Sequence, residues 1–312
     1  MKNERENDHP IELRQLRYFV TLAEELHFAR AAERLKIEQS PLSRAIREME
    51  RILGVRLFER NTRSTRITRA GKVLFDYARR VIALVDHART SARSAALGHG
   101  HHLRIGVSDC TAYCRATETL ARYRKANSEI LVSLYEMPLH QQISWIRDDL
   151  LDASISLDGS NRNGIEAQAV ACDAICAVLP VAHPLAGTEL VPPADLIRHP
   201  LILFSAEVDL GAGSQVDEFV DSLGRSHIAF RANSLGTMLT LVALGHGIGL
   251  VGSAQMTGVR RRDVVLRPIV GATPSLTTYV LHSNSGVSEP LENFIELARE
   301  LASSAYSANV IS

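Results

Sequence analysis

The sequence predicts a chain in three parts: a small, mostly α-helical domain with a winged helix-turn-helix pattern, a long linker helix, and a two-lobed α/β domain. Three observations carry this. Apolar residues recur at helical spacing over three short segments near the start. A much longer helical stripe follows them. Beyond it, strand-like and helix-like segments alternate as βαβ units do.

The chain has 312 residues, is 46% hydrophobic and 22% charged, and so predicts a soluble protein of more than one domain. No apolar run approaches the roughly 18 residues of a membrane helix. Residues 1–10, MKNERENDHP, are polar and read as a disordered tail rather than a signal peptide. Four cysteines are too few for a disulfide scaffold, which points to a reducing, cytoplasmic setting. The formal net charge of zero conceals an asymmetry. Residues 1–102 hold 20 Lys and Arg against 13 Asp and Glu, whereas the remainder holds 15 against 22. A basic front and an acidic back suit a polyanion-binding module carried by a domain that stays off the polyanion.

Residues 11–68 make up the first domain. Leu13, Leu16, Phe19, Val20, Ala23 and Leu26 recur at helical spacing and predict a helix over about 12–26. FARAAERL, Phe28 to Leu35, predicts a second. In QSPLSRAIREMERILG, Ser40 is the expected N-cap, Pro41 the first helical residue and Gly54 the end of the third helix. Leu42, Ala45, Ile46, Met49 and Leu53 should face inward, leaving Ser43, Arg44, Arg47 and Arg51 outside. Two helices joined by so short a turn form a helix-turn-helix, whose second helix reads the major groove with its first turn. Unpaired N–H groups there favour phosphate, and Arg44 has the geometry for a bidentate bond to guanine. Val55–Thr68 reads as strand, basic turn, strand: a wing offering Arg63 and Arg66 to phosphates or the minor groove. From Ser40 to Arg69 there are eight arginines against three glutamates.

The stretch LRQLRYFVTLAEELHFARAAERLKIEQSPLSRAIREMERILGVRLFER, followed by TRAG, resembles the LysR-type transcriptional regulators throughout. The resemblance implies a sequence-specific transcriptional regulator, with Gln39, Ser40, Ser43 and Arg44 meeting base edges or phosphates, and Arg47 beside them. One departure is Ala29, where the family commonly places a Ser or Thr that caps the second helix. Its partners would be double-stranded promoter DNA, a small-molecule effector and other copies of itself, with RNA polymerase as a further candidate; no cofactor or metal is implied.

Thr68 should cap a linker helix, 69–97. Leu74, Tyr77, Val81, Leu84, Ala88, Ser91 and Ala95 alternate three and four apart, the spacing of a coiled-coil seam. Such a helix needs a partner, and its copy in a second subunit is the economical one. In similar proteins it forms an antiparallel dimer, and dimers pair into tetramers. Residues 98–102, GHGHH, read as a solvated hinge, since no cysteine or carboxylate lies alongside to complete a metal site.

Residues 103–312 alternate. LRIGVS (103–108), ILVSLYE (130–136) and ASISL (153–157) predict strands, with helices over 110–126 and 139–150. After DGSNRNG, the segment 167–179 leaves the first lobe. LILF, HIAFRA and IGLVG predict strands of a second lobe, with helices at DEFVDSL and SLGTMLTLVALG. LTTYVLH and a helix over 287–304 return to the first. Lobe I thus spans about 103–168 and 272–304, and lobe II about 169–271. A ligand should lie between the lobes, where strand ends meet helix starts. This half resembles the periplasmic-binding-protein-like effector domain of the same family. That implies a site near Ser108, Thr111, Pro138 and Leu139 in lobe I, and near Phe204, Ser205, Asn233 and Ser234 in lobe II. Members that bind aromatic carboxylates often have Gly-Thr after a Glu-Met pair. Here Pro138-Leu139 follows, and Asp109 adds negative charge, so an aromatic carboxylate is disfavoured.

Cys110 with Cys114, and Cys172 with Cys176, form two spaced pairs that lack the CxxC spacing of redox or zinc motifs; they read as ordinary buried cysteines rather than a thiol sensor. Arg260-Arg261-Arg262 reads as a solvated turn. An enzyme is disfavoured: GHGIGLVG follows a helix and precedes a strand, the reverse of a dinucleotide loop, and there is no Walker loop, HExxH or GxSxG. A transporter's solute-binding protein would need an export signal and no helix-turn-helix. An architectural DNA-binding protein would not need two lobes.

Overall fold

The computed structural model describes residues 11–60, 65–96, 101–108, 111, 115–205, 210–224, 226–257, 259–270 and 275–309. They form two units, residues 1–93 and 94–312.

In the first unit, α1 (Leu13–Glu25), α2 (Phe28–Leu35) and α3 (Gln39–Leu53) are followed by β1 (Phe58–Arg60), β2 (Thr65–Ile67) and α4 (Arg69–Ala96). The apolar stripes of α1 to α3 meet over Phe19, Leu22, Leu42, Ile46 and Met49, each fully buried. Phe58 from β1 closes this core against Phe19, with ring centroids 5.5 Å apart. Leu26 and Lys36 take left-handed backbone conformations (φ 48° and 56°), which end α1 and α2 without glycine. The expected cap of α2 comes from His27, whose Nδ1 accepts from Arg30 N at 3.3 Å. Ala29 is an exposed residue inside that helix, so its missing hydroxyl removes no cap.

Two expectations are corrected. Helix α3 begins at Gln39 with Glu38 as N-cap, so Ser40 and Pro41 lie inside the first turn. The physical reason is the tight exit from α2: Lys36 N and Ile37 N bond back to Glu33 O and Ala32 O, leaving only three residues between helices. Leu53, expected inside, is 38% exposed, because α3 ends there in the left-handed Gly54 (φ 65°) and the side chain lies on the wall of an open concavity rather than in the core.

The wing is the antiparallel pair β1–β2, with Glu59 opposite Arg66. It is fastened to α3 by Glu50, whose Oε1 accepts from Leu57 N (2.9 Å) and Phe58 N (3.1 Å). Thr68 Oγ1 accepts from Gly71 N at 2.9 Å, making Thr68 the cap of α4. Helix α4 has 28 residues, about 42 Å at a rise of 1.5 Å. Its first half packs Leu74, Phe75, Ala78 and Ile82 on the domain core, and Asp86 pairs with Arg17 of α1 at 3.1 Å.

The second unit contains β3 (His101–Val107), α5 (Arg115–Ala126), β4 (Ile130–Glu136), α6 (Leu139–Arg147), β5 (Ala153–Ser156), β6 (Ile165–Pro180), α7 (Pro193–Leu196), β7 (Pro200–Phe204), α8 (Leu210–Ser222), β8 (His227–Ala232), α9 (Leu235–Ala243), β9 (Ile248–Gly252), β10 (Val264–Pro268), β11 (Ser275–Ser283) and α10 (Glu289–Asn309). Hydrogen bonding links the strands in the order β4-β3-β5-β11-β6-β9-β7-β8, with β10 beside β6. The sheet is mixed. Pairs β3–β4, β3–β5, β7–β8 and β7–β9 are parallel, while β6, β10 and β11 run antiparallel to their neighbours. The change of lobe takes place within β6, a strand of 16 residues: residues 165–174 pair with β11, whereas 175–178 pair with β9. The segment expected to leave the first lobe is thus a single strand, and the lobe boundary placed near residue 168 falls within it, the exchange of partners coming at 174–175. Of the hinge expected at 98–102, residues 98–100 lie outside the described residues, while His101 and His102 belong to β3, where His102 Nε2 meets Ser133 Oγ at 2.9 Å.

Lobe I buries apolar residues on both sheet faces. Leu103, Ile105, Ile155 and Val280 pack under α5 and α10, and Tyr123 donates to Pro290 O at 2.7 Å. Ile143, Ile146, Leu151 and Leu281 pack on the α6 side. Lobe II has one core, built from β6, β7 and β9 with α8 and α9.

Candidate nucleic-acid interface and effector cleft

The start of α3 gathers the side chains expected to face DNA. Gln39, Ser40, Arg44 and Arg47 are exposed and Ser43 is half-buried. All five line one open concavity of about 500 Å³. The burial of Leu42, Ile46 and Met49 fixes which way they point, since a residue three or four positions on repeats the same face. Neither Arg44 nor Arg47 has a carboxylate within ion-pairing distance among the described residues. Arg51, one turn further, differs: its Nη2 lies 2.6 Å from Glu48 Oε1, and hydrogen bonding and charge from Glu48 raise its pKa. Positive charge is therefore unmatched at the end of α3 that would enter a groove and matched at the other. Arg66 is exposed on β2. Arg63 lies outside the described residues.

Along α4, Tyr77, Val81 and Leu84 are 60%, 43% and 53% exposed, and Ala88 is exposed too. Leu74 differs, being half-buried against the domain core. Near the helix start the apolar strip widens into a concavity lined by Leu53, Val55, Leu57, Val73, Leu74 and Tyr77.

In the second unit the expected cleft residues sit at strand ends, with their side chains differently disposed. Ser108 and Thr111 are 4% and 0% exposed and bond to one another: Thr111 Oγ1 accepts from Ser108 N at 2.9 Å, and the two hydroxyl oxygens are 3.1 Å apart. Pro138 is exposed at the N-cap of α6, while Leu139 is 4% exposed and packs in the lobe I core. Phe204 is 2% exposed within the lobe II core, and Ser205 N bonds to Ala232 O at 2.9 Å. Asn233 is exposed. Ser234 caps α9, its Oγ accepting from Thr237 N at 3.1 Å. Of these eight residues only Pro138 and Asn233 are exposed and Ser234 is half-buried; Ser205, like Ser108, Thr111, Leu139 and Phe204, is buried.

The loop after β4 is held by Gln142, which is fully buried. Its Nε2 donates to Met137 O at 2.6 Å and its Oε1 accepts from Ser154 Oγ. Gly106 makes room for it, since a Cβ there would lie 3.1 Å from Gln142 Cγ and 2.8 Å from Leu151 Cδ1. The strand that carries Ser108 is fixed at its middle by Arg104, whose Nε and Nη2 grip Asp152 at 3.0 and 2.6 Å.

Cys172 is exposed and Cys176 buried on β6, and neither is in a disulfide. Burial, reinforced by Asp173, pushes the Cys176 thiol up to about 11, so it stays protonated near neutral pH. Cys110 and Cys114 lie outside the described residues. Among the described residues no group of His, Cys, Asp and Glu could hold a metal ion.

Comparison with known proteins decides the family. Residues 13–72 match the bacterial regulatory helix-turn-helix proteins of the lysR family, and residues 96–303 match the LysR substrate binding domain. The chain belongs to the LysR family of transcriptional regulators. The HTH-type transcriptional regulator CatR of Pseudomonas putida is 35% identical over 255 residues, covering 81% of this chain and 86% of the relative. The Hca operon transcriptional activator HcaR of Escherichia coli K12 is 28% identical over 93% of this chain and 98% of its own length. The crystal structure of CbnR, a LysR family transcriptional regulator, superposes with a TM-score of 0.79 at 24% identity, covering 93% of this chain and 99% of that one.

This LysR-family chain is thus a transcriptional regulator and not an enzyme, with a DNA-binding helix-turn-helix and an effector-binding domain. Among the described residues no helix is long and apolar enough to cross a membrane. Nothing in the sequence marks Glu50 or Gln142. Their roles depend on backbone groups that are distant in sequence or lie in loops.

Proposed function

We propose that this LysR-family regulator reads promoter DNA in the cytoplasm with the first turns of α3. Arg44 contacts a base edge, Arg47 the neighbouring phosphates, and Gln39, Ser40 and Ser43 lie close against the groove floor or backbone. Arg63 and Arg66 of the wing follow the phosphates. One observation carries the reading: two exposed arginines, without acidic partners among the described residues, stand beside three small or amide-bearing polar residues on the exposed face of a helix whose other face is buried. Tyr77, Val81, Leu84 and Ala88 of α4 pair with a second copy, Leu74 supporting the strip from below, and such dimers associate into tetramers. Linked heads raise the effective concentration at adjacent half-sites. A small-molecule effector binds between the lobes, near Ser108, Thr111, Pro138 and Leu139 on one side and Phe204, Ser205, Asn233 and Ser234 on the other. It acts by favouring one of two lobe arrangements, since a ligand binding both equally would switch nothing.

The test is a footprint on promoter fragments selected by the wild-type protein. Arg44→Ala should weaken the preferred site by about 1–3 kcal/mol and relax its sequence preference. Arg66→Ala should weaken all duplexes alike and lower the salt slope by about 1. Unchanged strength and preference in Arg44→Ala would remove the base-reading role.

A further inference from the structure

We infer that Gln215 is a positioning residue, a clamp that fixes the angle between the two lobes; its regulatory meaning rests on the effector-controlled reading above. Strands β11 and β5 pair through Tyr279 opposite Ser156. Continuing that register would set Thr277 opposite Asp158. The chain turns away there instead. Asp158 N bonds to Ser156 Oγ at 2.9 Å, and its carboxylate is taken up by Ser160 and Arg162. The edge of β11 at Thr277 thus loses its strand partner, and the Gln215 side chain takes the place. Thr277 N donates to Gln215 Oε1 at 2.7 Å, and Gln215 Nε2 donates to Thr277 O at 3.0 Å and to Leu157 O. A primary amide offers one carbonyl and two N–H bonds, so it matches a peptide's donor–acceptor pair and has one donor over.

Gln215 sits on α8, and the next residue, Val216, is 1% exposed in the lobe II core. Leu157 follows β5 of lobe I, and Thr277 lies on a strand that runs between the lobes. Leu157 and Leu276 also pack their side chains in the lobe II core, so this one amide bonds the lobe II helix to the backbone at the edge where β5 and β11 of lobe I meet it. Hydrogen bonds lose most of their strength within a few tenths of an ångström or a few tens of degrees. Rotation of the lobes releases all three bonds together rather than stretching them gradually. The domain accordingly has a clamped and a released arrangement, and an effector or a substitution at residue 215 shifts the balance between them.

The experiment uses the full-length protein. Amide hydrogen exchange at Thr277 is followed in wild type, Gln215→Leu and Gln215→Glu, alongside footprints on a wild-type-selected promoter fragment without effector. Glutamate keeps the side-chain length and one acceptor but sets an oxygen against two carbonyls. Both variants should speed exchange at Thr277 at least tenfold while β3 amides, paired with β4, stay unchanged, and both should alter the effector-free footprint. Less than a twofold change in exchange, or faster exchange with an unaltered footprint, overturns the clamp. If neither variant folds, the wild-type amide decides: exchange within tenfold of an unprotected peptide overturns it, and slower exchange supports it. If wild type prefers no promoter fragment, the DNA-reading proposal fails, while the exchange measurement still decides the clamp.

Discussion

Replacing Asp152 by alanine removes the counter-charge of a guanidinium that has almost no contact with water. The Arg104 side chain is 10% exposed and that of Asp152 22%. Arg104 binds the carboxylate through Nε and Nη2, sends Nη1 to Asp149 O at 2.6 Å, and donates its backbone N–H to Asp152 Oδ2 at 2.7 Å. Asp152→Ala leaves both a buried cation and a strand N–H without their acceptor, so the cost falls in the range of about 3–5 kcal/mol for one-sided removal of a buried pair. Arg104→Ala should cost less, about 2–3 kcal/mol, because the carboxylate is more exposed and keeps the backbone N–H. Replacing both, as Arg104→Met with Asp152→Leu, should recover most of the loss, since desolvation of the two charges goes with them. The chain's one tryptophan, Trp145, packs on Tyr135 in lobe I at 6.0 Å, so its fluorescence in urea reports on this domain. A midpoint shift above about 1 M is expected for Asp152→Ala. A single-variant loss under about 1 kcal/mol, or a double variant no better than Asp152→Ala, would refute the reasoning.

Gly71→Ala should uncouple the linker helix from the wing, because a Cβ there meets Leu57 O and lies 2.7 Å from Ile67 Cγ1; a loss of about 1–3 kcal/mol in thermal melts of the full chain, together with weaker DNA binding, is expected. Leu84→Glu places a charge in the exposed strip of α4 and should shift sedimentation toward monomer with no loss of helix content; an unchanged oligomer would place the interface elsewhere. Acid should act on the turn after β5. Burial alone would raise the Asp158 carboxyl, but hydrogen bonds from Ser160 and Arg162, with the charge of Arg162, hold it below its ordinary 3.8. Its stabilising contribution is full above that value and lost as pH falls through the lower folded pKa. Arg162→Ala should therefore move the acid-unfolding midpoint of the effector domain upward in pH, and a midpoint that stays put would count against the pair.

The first hundred residues were legible because their structure is local. A stripe repeating at three and four residues gives a helix, and Thr68 and Gly54 mark ends through bonds or backbone angles spanning a few positions. The helix α2 was read to the residue. The start of α3 was displaced because Ser40 matched a capping preference, while the tight exit from α2 at Lys36 decided where the helix could begin. In the effector half, strands β4, β8 and β9 were read at their full extent, each being a short apolar or alternating run bounded by turn residues. Strand β10 was missed, since VVLRP carries no alternation and is a strand only because β6 lies beside it.

By itself, the sequence determined the helix-turn-helix, its exposed basic face, the long stripe of α4 and the alternation that builds two lobes. These follow from side chains that bury or solvate according to a short repeat. Only tertiary structure decided that, among the described residues, Arg44 and Arg47 stand without acidic partners while Arg51 does not, that Leu139 and Phe204 belong to cores, and that β6 passes unbroken between lobes. It also decided that Gln215 completes a strand edge 62 residues away in the chain. Pairing between distant backbones obeys register and distance, and neither is written in the identity of neighbouring residues.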